Sequence, residues 1–391
     1  MRPLFQNHRQ PTGQNEKPPK AHTGLWYDKF CDQWHPDPTS DNWPGLGDEG
    51  KLNWINAVEG QCGDPANIHE LALRQRQLVQ SLSGQAKVFK TLDRFVTGLG
   101  RSHPVENGFA WHPTLGTPYL PGSSVKGLVR AYVEQWMEPS DCPSNDTISR
   151  IFGPRDNRAS GTGSVLFFDA LPTGAVRLEA DVMTPHYGPY YLGGKGETPP
   201  GDWHSPTPIP FLAVSGGQSF QFAVLPRDAG AAEDGETVFR WLTDALQWLG
   251  AGAKTAVGYG RFALDEEGEG KLSSALEKQI QEAREKAALQ KATEGKSPVF
   301  ADFLRQAQEN QWETKKEAFT QKGVIEDWLD KMEDQPDPDV IAELRKLVAH
   351  YFGDELLTNP EKKRGKKKNK PAFKERQVTI AKRINALDSG K

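Results

Sequence analysis

The stretch GAGAKTAVGYGRF (250–262) joins a helical pattern to a strand pattern. Upstream, Val238, Trp241, Leu242, Ala245, Leu246 and Leu249 recur at helical spacing and give one apolar face. Downstream, Val257–Leu264 reads as a strand. The order helix, loop, strand excludes a Walker A loop, which runs strand, loop, helix and needs a glycine where Ala253 precedes Lys254. A dinucleotide fingerprint fails on the same order, and Thr255 stands where its third glycine belongs. What is left is backbone with little side-chain cover, four glycines in the eleven residues from Gly250 to Gly260. Such backbone can approach a phosphate chain closely, with Lys254 and Arg261 as cations and Tyr259 as a stacking surface. The plainer reading is a connection that glycine merely permits.

Working outward, Pro208–Val214 and Gln218–Leu225 read as strands joined by Ser215-Gly216-Gly217, and Ser164–Asp169 as another. Pro121-Gly122-Ser123-Ser124 opens a helix whose apolar positions are Val125, Leu128, Val129, Tyr132, Val133 and Trp136. Lys87–Leu99 reads as a strand with Val88, Phe89, Phe95 and Val96 as its apolar members, followed by a long loop to Gly122. The order strand, helix, strands, helix, strand predicts an α+β, ferredoxin-like β-α-β-β-α-β unit with inserted loops over residues 85–265. That RRM-like scaffold is shared with RNA-recognition modules, but a fold does not by itself give a function.

Residues 1–84 read as a polar arm, a segment rich in tryptophan (Trp26, Trp34, Trp43, Trp54) and a helix opened by Asp64-Pro65, all packed on that unit. Residues 266–391 read as a helical extension. It begins with the narrow stripe Leu272, Leu276, Ile280, Ala283, Ala287 and holds the basic run EKKRGKKKNK (361–370) before a last helix. The net charge of −4 argues against a generally basic nucleic-acid binder. From Pro360 to Lys391, however, there are twelve Lys/Arg against three Asp/Glu, so any phosphate contact must be local. The basic run is either a solvated linker or a flexible arm with salt-sensitive affinity for RNA. Cys31, Cys62 and Cys142 are scattered and form no CxxC pair, which suggests neither a disulfide framework nor a zinc site. No apolar run is long enough for a membrane span and the start carries no secretory pattern, so a cytoplasmic location is expected.

Two further motifs carry chemistry. In LPGSSVKGLVR (120–130) a helix N-terminus, Ser123, Ser124, Lys126 and Arg130 could together hold phosphate. A capped helix with ordinary surface charge is the alternative. DVMTPHY (181–187), followed by GPYY, reads as a loop in which His186 and Tyr187 could meet bases, or which packs on itself. The nine histidines show no metal-ligand spacing, and neither a metal nor a cofactor is expected. His103, His112 and His186 lie near the motifs and are the residues an acid–base ribonuclease would use.

These three segments together resemble the RAMP superfamily of CRISPR proteins. Within it they resemble the family of the sixth subunit of the type III-B (Cmr) effector complex, DVMTPHY narrowing the match. The resemblance covers about residues 85–265. It implies a ferredoxin-like RAMP fold, contact with guide RNA toward its 3′ end, target RNA as a further candidate partner, and neighbouring RAMP subunits. It implies no nuclease activity in this subunit. At the matching positions it points to Ser123, Ser124, Lys126, Arg130, Lys254, Thr255 and Arg261 as RNA contacts. Two other readings stay open: a metal-independent RAMP endoribonuclease that matures guide RNA, and an adaptor that touches only protein through its helical extension.

Overall fold

The computed structural model describes residues 17, 21–31, 33, 46–155, 161–192, 198–362 and 372–389. Trp34, Trp43, most of the polar arm and nearly all of the basic run lie outside the described residues. The chain divides into two compact units, 1–277 and 278–391.

In the first unit, α1 (Thr23–Lys29), α2 (Asp48–Asn56), β1 (Gly60–Cys62) and α3 (Pro65–Ser81) precede β2 (Gln85–Thr91). Then follow α4 (Gly122–Gln135), α5 (Asn145–Phe152), β3 (Val165–Phe167), β4 (Val176–Met183), β5 (Ile209–Val214) and β6 (Ser219–Pro226). The unit closes with α6 (Ala232–Trp248), β7 (Phe262–Leu264) and the start of α7 (Glu266–Thr293). As the sequence suggests, Asp64 caps α3, its carboxylate accepting the Asn67 N–H at 2.9 Å. One antiparallel sheet runs β7-β2-β6-β3, with Leu171–Pro172 also on β6; a second runs β1-β4-β5.

Three expectations change, and one turn proves to join two sheets. The strands flanking Ser215-Gly216-Gly217 do not pair with each other: β5 pairs with β4 and β6 with β2, so the turn carries the chain between sheets. The strand from Lys87 stops at Thr91, and beyond it Phe95 makes a single bridge to Val214, reaching the second sheet. The last strand shrinks to Phe262–Leu264 because Gly258 and Gly260 take φ of 100° and 72°, which no strand accepts. The opening of DVMTPHY is strand, not loop. β4 alternates Val176, Leu178 and Ala180 with Arg177, Glu179 and Asp181, and its two acids pair with Arg94.

The period of two sorts the first sheet's faces. Phe220, Phe222 and Val224 of β6 join Phe89 and Phe262 against α6, Phe222 meeting Phe89 and Phe262 edge-on at 5.6 and 5.3 Å. Gln221 and Ala223 face α3 instead. There Arg76 is fully buried; it donates to Gln221 at 2.8 Å and to both oxygens of Glu269 at 2.5 and 2.7 Å. Glu269 also accepts the Val88 N–H at 2.8 Å. Burial would raise its carboxyl, but Arg76 and that N–H outweigh burial and hold it below the usual range. The first turns of α7 thus belong to the first unit, with Leu272 and Leu276 buried beside this pair.

The Trp-rich segment forms an aromatic wall. Trp26 and Trp54 stack at 6.0 Å, and Tyr27 lies flat on His103 at 4.3 Å. Burial pushes His103 down to about 4, leaving it neutral near pH 7.

In the second unit, α8 (Pro298–Glu309), α9 (Val324–Asp334), α10 (Pro338–Phe352) and α11 (Glu375–Asp388) enclose their own core, in which Phe303 meets Trp328 edge-on at 5.0 Å. Arg376 of α11 holds Glu326 of α9 at 2.5 Å and draws its carboxyl down to about 2 against the opposing effect of burial. Among the described residues of this unit no large apolar side chain is exposed.

The Arg76–Glu269 pair fixes where the first unit can be cut. A chain ending at Glu277 keeps the pair, whereas one ending at Asp265 strands a buried guanidinium. The longer truncation product should be more stable to urea by more than about 3 kcal/mol, the low end for breaking a buried pair, because the shorter one also loses the buried Leu272 and Leu276. Equal midpoints would show that the pair does not hold this face.

Candidate nucleic-acid interface

The loop that follows α6 closes on itself through its backbone. The Ala251 N–H donates to Gly260 O at 2.7 Å, Ala253 N–H to Val96 O at 2.8 Å, and Gly260 N–H to Arg94 O at 2.8 Å. These crossings leave no room for side chains: a Cβ on Gly252 would lie 2.1 Å from Val96 O, and one on Gly260 1.9 Å from Ala251 O. Gly258, in contrast, faces open space. The glycines therefore act first on the loop's own packing.

The loop is pegged to the second sheet. The Tyr259 hydroxyl donates to Asp181 of β4, which Arg94 also approaches at 3.3 Å. Burial and this acid together push the phenol up to about 12. Lys254 is left-handed, with φ 60°. Its ammonium lies 4.9 Å from the centre of the Phe211 ring and 3.7 Å from Met183 Sδ, a cation–π contact on β5.

On the loop's other side lies a cavity of about 790 Å³ lined by Ser124, Thr255 and Arg261, with Gly98, Gly250 and Gly252 supplying bare backbone. No Asp or Glu lines it. Arg261 donates to Gln247 O at 2.9 Å, neutralising the C-terminal carbonyls of α6, and forms no ion pair among the described residues. A second cavity of about 370 Å³ is lined by Ser123, Lys126 and Arg227. Burial, then the neighbouring Arg130 and Arg227, lower the Lys126 ammonium.

The structure thus brings Ser124, Thr255 and Arg261 together from two separate motifs, and Ser123 with Lys126 beside another cation. It uses others internally. Arg130 donates to Glu134 at 2.9 Å and lies 6.0 Å from the Phe152 ring centre. Asp169 already accepts the Gly122 N–H at 2.7 Å at the start of α4. His186 and Tyr187 line neither cavity; the Tyr187 hydroxyl donates to Asp202 at 3.1 Å. Of the histidines weighed for catalysis, His103 is stacked in the aromatic wall. His112 takes the Leu115 N–H at 3.3 Å and sits edge-on to Tyr119 at 5.3 Å.

Sequence reading missed two residues of the larger cavity, Trp136 and Trp248. Trp136 was expected in the buried stripe of α4. It is instead the residue that ends the helix, and it is 63% exposed, while Val125, Val129 and Val133 fill the core. Spacing alone could not show this, because Trp136 continues the valine stripe and only the end of the helix at Gln135 turns it out.

The match to known proteins follows the same residues. The model of the RAMP superfamily matches residues 88–263, from β2 through β7 and across all three motifs. The CRISPR system Cmr subunit Cmr6 of Pyrococcus furiosus is 35% identical, over 52% of this chain and 76% of that protein. The chain belongs to the Cmr6 family of the RAMP superfamily. Another Cmr6, from Saccharolobus solfataricus, is 29% identical over 41% of this chain and 49% of its own length. Among solved structures, a chain of the type III-B Cmr-beta complex bound to cognate target RNA matches with a TM-score of 0.44 at 24% identity, covering 55% of this chain and 71% of that one. The crystal structure of Pyrococcus furiosus Cmr6 matches with a TM-score of 0.31 at 31% identity, covering 46% and 97%. In this Cmr6-family chain the second unit lies wholly outside the family match.

No helix among the described residues is long and apolar enough to cross a membrane, and no cluster of His, Cys, Asp and Glu among them is placed to hold a metal.

The loop's self-crossing gives a sharp contrast between two glycines. Gly258→Ala should cost about 1–2 kcal/mol for its left-handed backbone. Gly260→Ala adds overpacking against Ala251 O, about 1–3 kcal/mol more. Thermal unfolding of the two variants checks this, and equal losses would mean that the crossing is not closed as described.

Proposed function

We propose that this chain is a non-catalytic, RNA-binding structural subunit of a type III-B CRISPR effector complex. Its RAMP domain holds guide RNA toward the 3′ part, target RNA being a further candidate, and packs beside neighbouring RAMP subunits. The domain is read as ferredoxin-like, a reading supported by the strand order β7-β2-β6-β3 with α4 and α6 packed together over one face. The observation that carries the proposal is the acid-free cavity where Ser124, Thr255 and Arg261 converge, in a chain that is acidic overall. Phosphate oxygens can take hydroxyl and guanidinium donors there without meeting a carboxylate. Ser123 and Lys126 extend the set of donors along the start of α4, while Lys254 and Tyr259 anchor the loop to the second sheet and Arg130 is held by Glu134.

The non-catalytic reading is supported by the histidines. His103 is held neutral in the aromatic wall, His112 caps a turn, and His186 lines neither cavity. The second unit buries its large apolar groups in its own core, so a protein-only adaptor acting through an apolar face of that unit gains no support.

Titration of full chain into single-stranded RNA between about 50 and 200 mM salt tests this, since each phosphate contact contributes about 0.7 to the log–log slope. Arg261→Ala with Lys126→Ala should weaken binding and reduce the slope by about 1.4. Lys254→Ala should change the slope less, because that ammonium packs over Phe211 and lines neither cavity. An unchanged slope in the first variant would remove both cavities from the RNA path.

A further inference from the structure

Trp136 and Trp248 come from the ends of two different helices, α4 and α6, and line the same cavity. They are 63% and 61% exposed. Single exposed apolar residues are ordinary on a protein surface and need no explanation. Two of the largest aromatic side chains converging on one acid-free cavity are a different matter. Ser124, Leu128 and Trp136 all line that cavity, and from Ser124 to Trp136 the helix rises about 18 Å at 1.5 Å per residue, the length of several stacked bases.

We propose that Trp136 and Trp248 are base-stacking platforms for single-stranded nucleic acid whose phosphates lie toward Ser124, Thr255 and Arg261. The proposal rests on the RNA-binding reading above and adds what that reading lacks, a surface for the bases. An indole presents a broad face that suits any base, so affinity gained this way tolerates any guide sequence. The charge pattern selects the occupant. Arg261 offsets the negative end of α6, no acid opposes a phosphate, and the glycine backbone lets a polymer lie close. A protein partner would also value two tryptophans, but nothing in the cavity offers its cationic or amide groups a carboxylate. Neither tryptophan is required for the core, which the valines of α4 and Val238, Leu242, Ala245 and Leu246 of α6 already fill.

The test uses the full chain, checked for fold by circular dichroism, with labelled oligoadenylate and oligouridylate as probes. Wild type should bind the purine strand more tightly and show quenched tryptophan fluorescence on binding. Trp136→Ala and Trp248→Ala should each lose about 5- to 150-fold in affinity, the equivalent of about 1–3 kcal/mol per stacked base, while Phe at either position stays within about threefold of wild type. The salt slope should not change in any of these variants, because stacking releases no counterions. Folded alanine variants that bind both probes as wild type does would overturn the proposal. If Arg261→Ala still weakens binding in that case, the phosphate path stands and only the stacking fails; if it does not, the RNA-binding reading fails as well. Alanine variants that bind RNA normally but drop out of the purified effector complex would also overturn it, and would assign the two tryptophans to a protein neighbour.

Discussion

The contact between Gly260 and the Ala251 carbonyl governs this molecule's candidate site. Where α6 ends, the chain must turn back, meet the segment Arg94–Val96 and enter β7 within thirteen residues. It does so by crossing its own backbone at a distance that a side chain would forbid. That crossing sets one wall of the larger cavity, fixes Thr255 and Arg261 on the cavity side, and turns Lys254 and Tyr259 toward the second sheet. A chain free to carry side chains at positions 252 and 260 could not make this turn, so the division of labour among the loop's polar groups follows from its glycines.

Charge is distributed by the same logic. The chain is acidic overall, and several cations near the motifs are already paired: Arg94 with Glu179 and Asp181, Arg130 with Glu134, Arg150 with Asp234. Arg261 meets only a backbone carbonyl, and Lys126 has other cations as its nearest charged neighbours. Arg261, Lys126 and Arg227 thus remain without an ion pair among the described residues, beside the two cavities described above. The second unit follows a different principle, with arginines Arg376 and Arg383 tying its last helix to acids of α9.

The two long amphipathic helices of the family domain, the capped start of α3 and the strands at 209–214 and 219–226 were legible because each shows an uninterrupted period or a cap at the right place. Strand β4 was not, since its Arg177, Glu179 and Asp181 give it the polarity of a loop; the pairing of the two acids with Arg94, distant in sequence, offsets the cost of placing them on a strand. The partition of β5 and β6 into different sheets was equally hidden, because a short Ser-Gly-Gly turn looks like a hairpin until the partners of each strand are known. At the site, residue types and motifs were readable, but orientation was not. Lys254 and Arg261 lie in one loop and look equivalent in sequence, yet one packs on Phe211 and the other faces the cavity. Trp136 illustrates the opposite error, an apolar residue at helical spacing that the end of the helix releases to the surface.

The central claim is that nucleic acid runs along the cavity between the glycine-rich loop and α4. Ultraviolet crosslinking of the assembled effector complex, followed by mapping of the crosslinked peptides of this chain, tests it most directly. The account predicts crosslinks within 120–136 and 248–262. Crosslinks confined to the second unit or to the segment after β4, with both of those stretches unmodified, would contradict it.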